Sequence, residues 1–137
     1  MLILLLGLGL ESPSAASDKI DWHTYESGMA RSRFEKKKVF LYFHADWCAY
    51  CFEMDRKTFK DPGVIAALNR NFIPIRVDAD RERDVVAEYR VKGQPLSLPF
   101  FVFLYETGEK IAHGAGFITA EKMMKVLNAI ITGPGAK

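Results

Sequence analysis

The sequence has few of the residues that build disulfide frameworks or metal centres: its 137 residues include two cysteines and three histidines. Both cysteines lie in one short motif, ADWCAYC, at positions 45–51. A disulfide between cysteines three positions apart closes a very small loop, so it restricts the unfolded chain little. The pair is therefore not a structural framework of the kind that holds small secreted proteins together.

The residues around the pair argue against two other uses. A c-type haem attachment site has histidine directly after the second cysteine, but position 52 is Phe52. A structural zinc site needs four ligands, and His23, His44 and His113 do not have the spacing of a second ligand pair. We interpret His23 and His113 as surface or packed residues. The sequence thus implies neither a metal nor a bound cofactor.

The chain also lacks a strong charge of either sign, since 19 Lys and Arg against 17 Asp and Glu give a formal net charge of +2. No segment interleaves basic and aromatic residues as nucleic-acid-binding surfaces do. The basic run Lys36-Lys37-Lys38 is interpreted as a solvated turn before a strand. An apolar content of 49% and a length of 137 residues are ordinary for one soluble domain with a core of its own. Nucleic acid is not an expected partner.

The N-terminus is apolar, but the run is too short to cross a bilayer. Residues 1–10 read MLILLLGLGL, whereas a membrane-spanning helix needs about 20 apolar residues. A short apolar core followed by small residues is typical of a secretory signal, although no Lys or Arg precedes this one. We predict a signal peptide over residues 1–16, cleaved after Ala16, or an N-terminal anchor. A buried strand or helix is the alternative. Residues 18–133 are predicted to be one domain and residues 134–137 a short tail.

Apolar periodicity predicts alternating helices and strands. A helix is predicted over Asp18–Phe34, and the nearly continuous apolar run Val39–Ala45 suits a strand that is buried on both faces. The further predicted elements are a helix over Cys48–Phe59, a helix beginning at Asp61-Pro62, a strand over Phe72–Asp78, a helix over Arg83–Tyr89, a hairpin of strands Phe100–Tyr105 and Lys110–Ala115, and a helix capped by Thr119 and ended by Gly133. This order predicts an α/β fold with a mixed four-to-five-stranded sheet and helices on both faces. The methionines of the last helix are interpreted as core residues.

The cysteine pair follows a predicted strand and opens a predicted helix. Free N–H groups and the positive end of the helix dipole favour the thiolate at Cys48. Cys51 lies one helical turn further on the same face and can reach back to Cys48. We expect Cys51 to be the more buried of the two and to resolve a mixed disulfide formed at Cys48. Trp47 supplies an apolar surface beside the sulfur. The arrangement predicts a redox switch.

The motif Trp47-Cys48-Ala49-Tyr50-Cys51 resembles the WCxxC motif of the thioredoxin fold family. The resemblance runs from about Ile20 to Ile131. The A-D-W-C run, the helix sequence at 55–59 and the V-D-x-D pattern at 77–80 are similar in particular to the C-terminal thioredoxin-like domain of the DsbD reductase and its exported relatives. The resemblance implies a thioredoxin-like domain over residues 18–133 and a redox-active disulfide between Cys48 and Cys51.

The family also has a cis-proline opposite the cysteine pair, and two prolines compete for that place. Pro99 directly precedes a predicted strand and lies nine residues before Gly108 of the hairpin turn. Pro95 has the family's G-x-P spacing. We predict Pro99, because a cis-proline belongs in a tight turn. This choice implies an insertion of about four residues before it and leaves Pro95 as a residue that stiffens the loop.

The position that holds a buried aspartate in many thioredoxins, six residues before the first cysteine, is occupied by Tyr42. A phenol is a poor base near neutral pH. Asp55, four residues after Cys51, has the place of a carboxylate in DsbD-like domains and is a candidate substitute. A solvent-facing helix carboxylate is the alternative interpretation of Asp55.

The resemblance implies a thiol–disulfide oxidoreductase of the cell envelope, in the periplasm or on the extracytoplasmic side of the membrane. It would reduce disulfides of exported proteins as a monomer, without a bound cofactor, and draw electrons from a membrane or soluble redox protein. Ala49 and Tyr50 add no cation between the cysteines, so we expect a potential in the reducing half of the range from about −270 to about −120 mV. An isomerase or oxidase on the same fold and a non-catalytic docking module are the alternatives.

Overall fold

The computed structural model of the chain describes residue 9 and residues 17–135, so nearly all of the predicted signal peptide lies outside the described residues. The four strands are β1 (Lys38–His44), β2 (Phe72–Asp78), β3 (Phe100–Leu104) and β4 (Lys110–Ala115). They form one sheet in the order β2-β1-β3-β4. β1 and β2 are parallel, and the β1–β3 and β3–β4 pairs are antiparallel. The predicted mixed sheet is confirmed, with four strands.

The helices are α1 (Tyr25–Glu35), α2 (Ala49–Arg56), α3 (Pro62–Asn71), α4 (Arg83–Tyr89) and α5 (Ala120–Ile131), with a 3₁₀ turn at Thr58–Lys60. Asp61 caps α3 by accepting a hydrogen bond from the Val64 N–H at 3.0 Å. Thr119 caps α5 in the same way through the Lys122 N–H at 3.3 Å. Both helix starts are as predicted. None of the helices in residues 17–135 is long and apolar enough to cross a membrane.

The side chains of β1 alternate between two buried faces of the sheet. Phe40 and Tyr42 point to a core that α2, α3 and α5 cover, and this side is called the α5 face below. Val39, Leu41 and Phe43 point to a second core, covered by α1 and α4, which is called the α1 face. This two-sided burial explains why the strand is apolar without a break. Helices cover both faces, as predicted, and the α5 face also buries Met123 of the last helix completely.

The helix predicted over Asp18–Phe34 is wrong in its first seven residues, because α1 begins only at Tyr25. His23 instead pairs with the edge of the sheet: the His23 N–H donates to the Pro74 oxygen at 2.9 Å, and the Arg76 N–H donates to the His23 oxygen at 3.2 Å. The Thr24 side chain then caps α1 by accepting from the Ser27 N–H. These distant backbone partners on β2 outweigh the local helical spacing of apolar residues.

The helix predicted over Cys48–Phe59 begins and ends differently. Cys48 is the N-cap rather than the first helical residue, and α2 ends at Arg56. Thr58 is completely buried, and its hydroxyl donates to the Ile118 oxygen in the segment that leads into α5. The tight turn at Thr58–Lys60 satisfies this buried hydroxyl, which an extension of α2 does not provide for.

Candidate redox site

The two cysteines lie where the central strand β1 gives way to α2. The Cys48 N–H donates to the Ala45 oxygen at 3.1 Å, which closes the turn after β1. The Cys51 N–H donates to the Cys48 sulfur at 3.2 Å. Both cysteines are free thiols. An N–H at the positive end of a helix thus points at the Cys48 sulfur, and this favours negative charge there.

The second cysteine is the more enclosed. Cys48 is 6% and Cys51 is 2% exposed, and both pack with Ala45 and the side chain of Leu98. Burial, together with hydrogen bonding to Cys48, raises the pKa of the Cys51 thiol. Cys51 is therefore held as a neutral thiol beside the Cys48 sulfur.

The segment before β3 passes beside the cysteines. The Leu98–Pro99 peptide bond is cis, Pro99 is buried, and its oxygen accepts a hydrogen bond from the Gly116 N–H at 2.8 Å. Pro95 is exposed in the preceding loop. The structure therefore places the cis peptide at Pro99, next to the Leu98 side chain that contacts the cysteine cluster.

Aromatic side chains surround the pair at the surface. Trp47, Tyr50 and Phe52 are 70%, 63% and 65% exposed. The Trp47 indole N–H donates to the Asp80 carboxylate at 2.9 Å, which fixes the ring to the loop after β2. Ala49 is also exposed at the start of α2. Large exposed aromatic side chains in one place favour contact with another molecule.

Tyr42 lies below the cysteines on the α5 face and is completely buried. Its ring stacks on Trp22 at 5.8 Å and on His44 at 6.1 Å between ring centroids. Its hydroxyl has no hydrogen-bond partner of good geometry among the described residues. Burial, and then the neighbouring Cys51 thiol, raise the pKa of Tyr42. Tyr42 therefore remains a neutral phenol at physiological pH.

Asp55 on α2 forms an ion pair with Arg76 on β2. Its two carboxylate oxygens accept hydrogen bonds from both terminal nitrogens of Arg76, at 2.8 and 2.7 Å. The Arg76 guanidinium also lies 5.4 Å from the centre of the Tyr42 ring and 5.5 Å from that of Trp22. Burial opposes the charge, but the hydrogen bonds that Arg76 donates to Asp55 outweigh burial and raise the pKa of Arg76. Asp55 is thus the counter-ion of a half-buried cation.

Sequence reasoning did not identify Arg76 or Trp22 as site residues. Arg76 is the one charged residue between Phe72 and Val77 in an otherwise apolar strand. A charge inside such a strand requires a partner, so the signal was present. Trp22 was assigned to a helix, but it lies in the non-helical segment before α1, where its ring stacks on Tyr42.

The histidines lie apart from one another. His44 ends β1, where burial and the Arg76 charge lower its pKa. The His23 ring contacts the Pro74 oxygen at 3.1 Å, and His113 is exposed on β4. Residues 17–135 contain no group of three or more potential metal-ligating side chains.

A dithiol at the start of a helix, directly after a central strand and beside a cis-proline, defines a thiol redox site on a mixed α/β sheet. A family model described as thioredoxin-like matches residues 21–105. The chain belongs to this thioredoxin-like family, and the predicted fold is confirmed.

Proteins similar to this chain in sequence include several thiol:disulfide interchange proteins. The thiol:disulfide interchange protein DsbD of Vibrio vulnificus (strain CMCP6) is 32% identical over 104 residues, which cover 74% of this chain and 17% of that protein. DsbD of Pectobacterium atrosepticum is 34% identical over 98 residues, covering 70% of this chain and 16% of the relative. The chain thus spans about a sixth of the length of these relatives.

Solved structures show the same likeness. The oxidised C-terminal domain of DsbD from Neisseria meningitidis is 26% identical with a TM-score of 0.60, covering 75% of this chain and 89% of that domain. A thioredoxin from Thermus thermophilus is 27% identical with a TM-score of 0.72, covering 85% of this chain and 89% of the thioredoxin. The predicted resemblance to the C-terminal domain of DsbD is confirmed.

Proposed function

We propose that the protein is a thiol–disulfide oxidoreductase that reduces disulfides in exported proteins. The observation that carries this proposal is the 3.2 Å contact from the Cys51 N–H to the Cys48 sulfur at the start of α2. It favours a thiolate on the cysteine nearer the surface and keeps the second thiol within reach. The DsbD relatives, named thiol:disulfide interchange proteins, support the same chemistry.

The reaction has two exchange steps. The Cys48 thiolate attacks one sulfur of the substrate disulfide, forms a mixed disulfide and releases the other substrate sulfur as a thiolate. Cys51 then loses its proton and attacks the Cys48 sulfur, which forms the Cys48–Cys51 disulfide and releases the second substrate thiolate. The substrate gains two electrons and the dithiol loses two. A membrane or soluble redox protein of the envelope restores the dithiol.

The surface around Cys48 supports protein substrates. Trp47, Tyr50 and Phe52, next to the cysteines in the sequence, offer exposed aromatic area, and Leu98 of the segment ending at Pro99 packs against the cysteines. Aromatic side chains provide contact area at a low cost in conformational entropy. A flexible segment of a polypeptide that carries a disulfide fits such a surface. The predicted signal or anchor in residues 1–16 would bring the domain to such substrates outside the cytoplasm.

Insulin reduction by the full chain in the presence of a dithiol donor tests the activity. We expect the wild type to accelerate insulin precipitation and Cys48→Ser to abolish the acceleration, because the attacking sulfur is lost. Tyr25→Phe is a matched control, since Tyr25 bonds Tyr89 away from the cysteines. If the wild type does not reduce insulin faster than the donor alone, the protein is not an oxidoreductase of this kind. Full biological activity of a Cys48→Ser, Cys51→Ser double variant would favour a docking module.

The direction of the reaction is tested by the reduction potential. With Ala49 and Tyr50 between the cysteines, no side-chain cation stabilises the Cys48 thiolate from within the motif. We therefore expect equilibration with glutathione to give a potential nearer to about −270 mV than to about −120 mV. A value at the oxidising end would instead support an oxidase or isomerase on this fold.

A further inference from the structure

The polar groups beneath Cys51 form a connected set on the α5 face. Tyr42 is completely buried and its hydroxyl has no partner of good geometry among the described residues. A buried hydroxyl without a partner is costly, and a native protein that retains one commonly uses it. Tyr42 packs in the same core as Met54 of α2, three residues after Cys51, and the Cys51 thiol is the titratable group that acts most strongly on this hydroxyl.

The tyrosine is held in place from several sides. Trp22 and His44 stack on its ring, and Phe59 packs edge-on with ring centroids 4.8 Å apart. Arg76 covers the ring at 5.4 Å. The stacked and T-shaped contacts restrict movement of the ring, so the hydroxyl keeps its buried position.

The arginine is fixed in turn by Asp55. The two hydrogen bonds at 2.8 and 2.7 Å form a bidentate pair, which sets the plane of the guanidinium as well as its position. Tyr42 and Arg76 are also register partners on β1 and β2, so their side chains share one face of the sheet. The carboxylate therefore acts on the guanidinium and not on the sulfur.

We propose that Tyr42 donates a hydrogen bond to the Cys51 thiolate during the resolving step, and that Arg76, held by Asp55, is the positioning residue that keeps this donor and a positive charge beside that sulfur. Tyr42, a neutral donor, and the Arg76 cation then replace the buried carboxylate that is common in the family. The donor favours the thiolate without accepting its proton, which passes to solvent. This inference deepens the proposed function and rests on it.

The charged and titratable groups near Cys51 and Tyr42 are Cys48 and Asp55 from α2 and Arg76 from β2, and His44 at the end of β1 stacks on the Tyr42 ring. His44 has a lowered pKa and is uncharged throughout the alkaline range in which a thiol titrates. A change in the Cys51 titration therefore reports on the tyrosine and the Arg76–Asp55 pair.

The test is a titration of Cys51 in the full chain with Cys48→Ser, followed through the resonance of ¹³C-labelled cysteine. Tyr42→Phe removes only the hydroxyl, and with it the proposed hydrogen bond to the charged sulfur. We expect the titration to move up by about one pH unit or more, a tenfold loss of thiolate. Tyr25→Phe should leave it in place. An unchanged titration in Tyr42→Phe would overturn the proposal.

The arginine is tested in the same background. Arg76→Met removes the cation and should also shift the titration upward, while Arg76→Lys, which keeps the charge and loses the bidentate geometry, should restore part of the shift. Thermal unfolding of each variant shows whether it is folded at the temperature of the titration. Equal shifts in Arg76→Met and Arg76→Lys, or no shift in either, would contradict a positioning role for Arg76.

Asp55→Asn separates the two possible roles of the carboxylate. It weakens the hold on Arg76 but leaves the cation, so we expect a smaller upward shift of the Cys51 titration than in Arg76→Met and less than a tenfold slowing of resolution in otherwise wild-type protein. If Asp55 were instead the base for Cys51, the variant would resolve a mixed disulfide at least about tenfold more slowly, and that result would overturn the proposal. The titration needs no turnover, so it remains decisive even if insulin reduction fails.

Discussion

The α5 and α1 faces of the sheet are equally well buried but differ in chemistry. On the α1 face, β1 contributes Val39, Leu41 and Phe43, all fully buried and apolar. On the α5 face the same strand contributes Phe40 and then Tyr42, whose hydroxyl lies in the core. Because alternate residues of a strand point to opposite faces, one strand can complete an apolar core on one side and support a thiol site on the other.

The Tyr42 hydroxyl and the Arg76 guanidinium lie toward the end of the α5 face at which β1 leads into the cysteines. Tyr42 and its register partner Arg76 occupy this end, whereas Phe40 and Phe103 fill the opposite end with ring centroids 5.2 Å apart. We therefore expect that stability and thiol chemistry can be changed separately. Substitutions on the α1 face should alter the free energy of unfolding, and substitutions at the redox end of the α5 face should alter the thiol chemistry.

The largest expected loss of stability comes from Leu41→Ala on the α1 face. It removes a fully buried side chain and leaves a cavity, so we expect a loss of about 2–5 kcal/mol in the free energy of unfolding. Chemical denaturation of the reduced protein measures it. The rate of insulin reduction, measured where the variant is still folded, should be unchanged. A slower rate in fully folded Leu41→Ala would show that the two faces are coupled.

A smaller loss is expected from Gly28→Ala, where α1 packs on β2. A β-carbon at position 28 would lie 2.4 Å from Cγ1 and 2.6 Å from Cδ1 of Ile75. The overlap should cost about 1–3 kcal/mol, which exceeds the gain of up to about 1 kcal/mol from replacing glycine in a helix. Ser27→Ala, at an exposed neighbouring position, is the control and should be close to neutral. A stabilised Gly28→Ala would mean that α1 moves freely on the sheet.

The sequence predictions are correct where local interactions determine the structure and wrong where contacts between distant parts of the chain do. Phe72–Asp78, Arg83–Tyr89 and Lys110–Ala115 were predicted with the bounds they have, because apolar period and turn residues act locally. Residues 18–24 were wrong because their backbone bonds to β2, some fifty residues away.

The site residues also differ in whether the sequence alone could predict them. The positions of Cys48 and Cys51 follow from a motif at a strand–helix junction, which the sequence displays directly. The partner of Asp55 does not, because Arg76 lies on another element 21 residues further along the chain. Spacing along α2 identifies the carboxylate, but only the packing of α2 against β2 shows that a guanidinium occupies both of its oxygens.

The smallest expected effect is a pH dependence of the free energy of unfolding, caused by His44 at the redox end of the α5 face. Burial lowers its pKa in the folded state below the ordinary 6.5, so the unfolded chain takes up the proton first as the pH falls. Stability should therefore decrease as the pH falls below about 6.5 and level off below the folded pKa. Unfolding curves of wild type and His44→Gln over this window measure it. His113→Gln, at an exposed position, should retain the wild-type dependence, and an identical dependence in His44→Gln would exclude His44 as its source.

The central claim, that Cys48 attacks and Cys51 resolves, is tested most directly by trapping with single-cysteine variants. Full-length Cys51→Ala and Cys48→Ala are each incubated with a peptide that contains one disulfide, and mass spectrometry follows the mixed disulfide. We predict that Cys51→Ala accumulates a mixed disulfide at Cys48, because the helix N-terminus favours that thiolate and no resolving thiol remains. Cys48→Ala should react far more slowly through the buried Cys51. Faster trapping at Cys51 than at Cys48 would contradict the account.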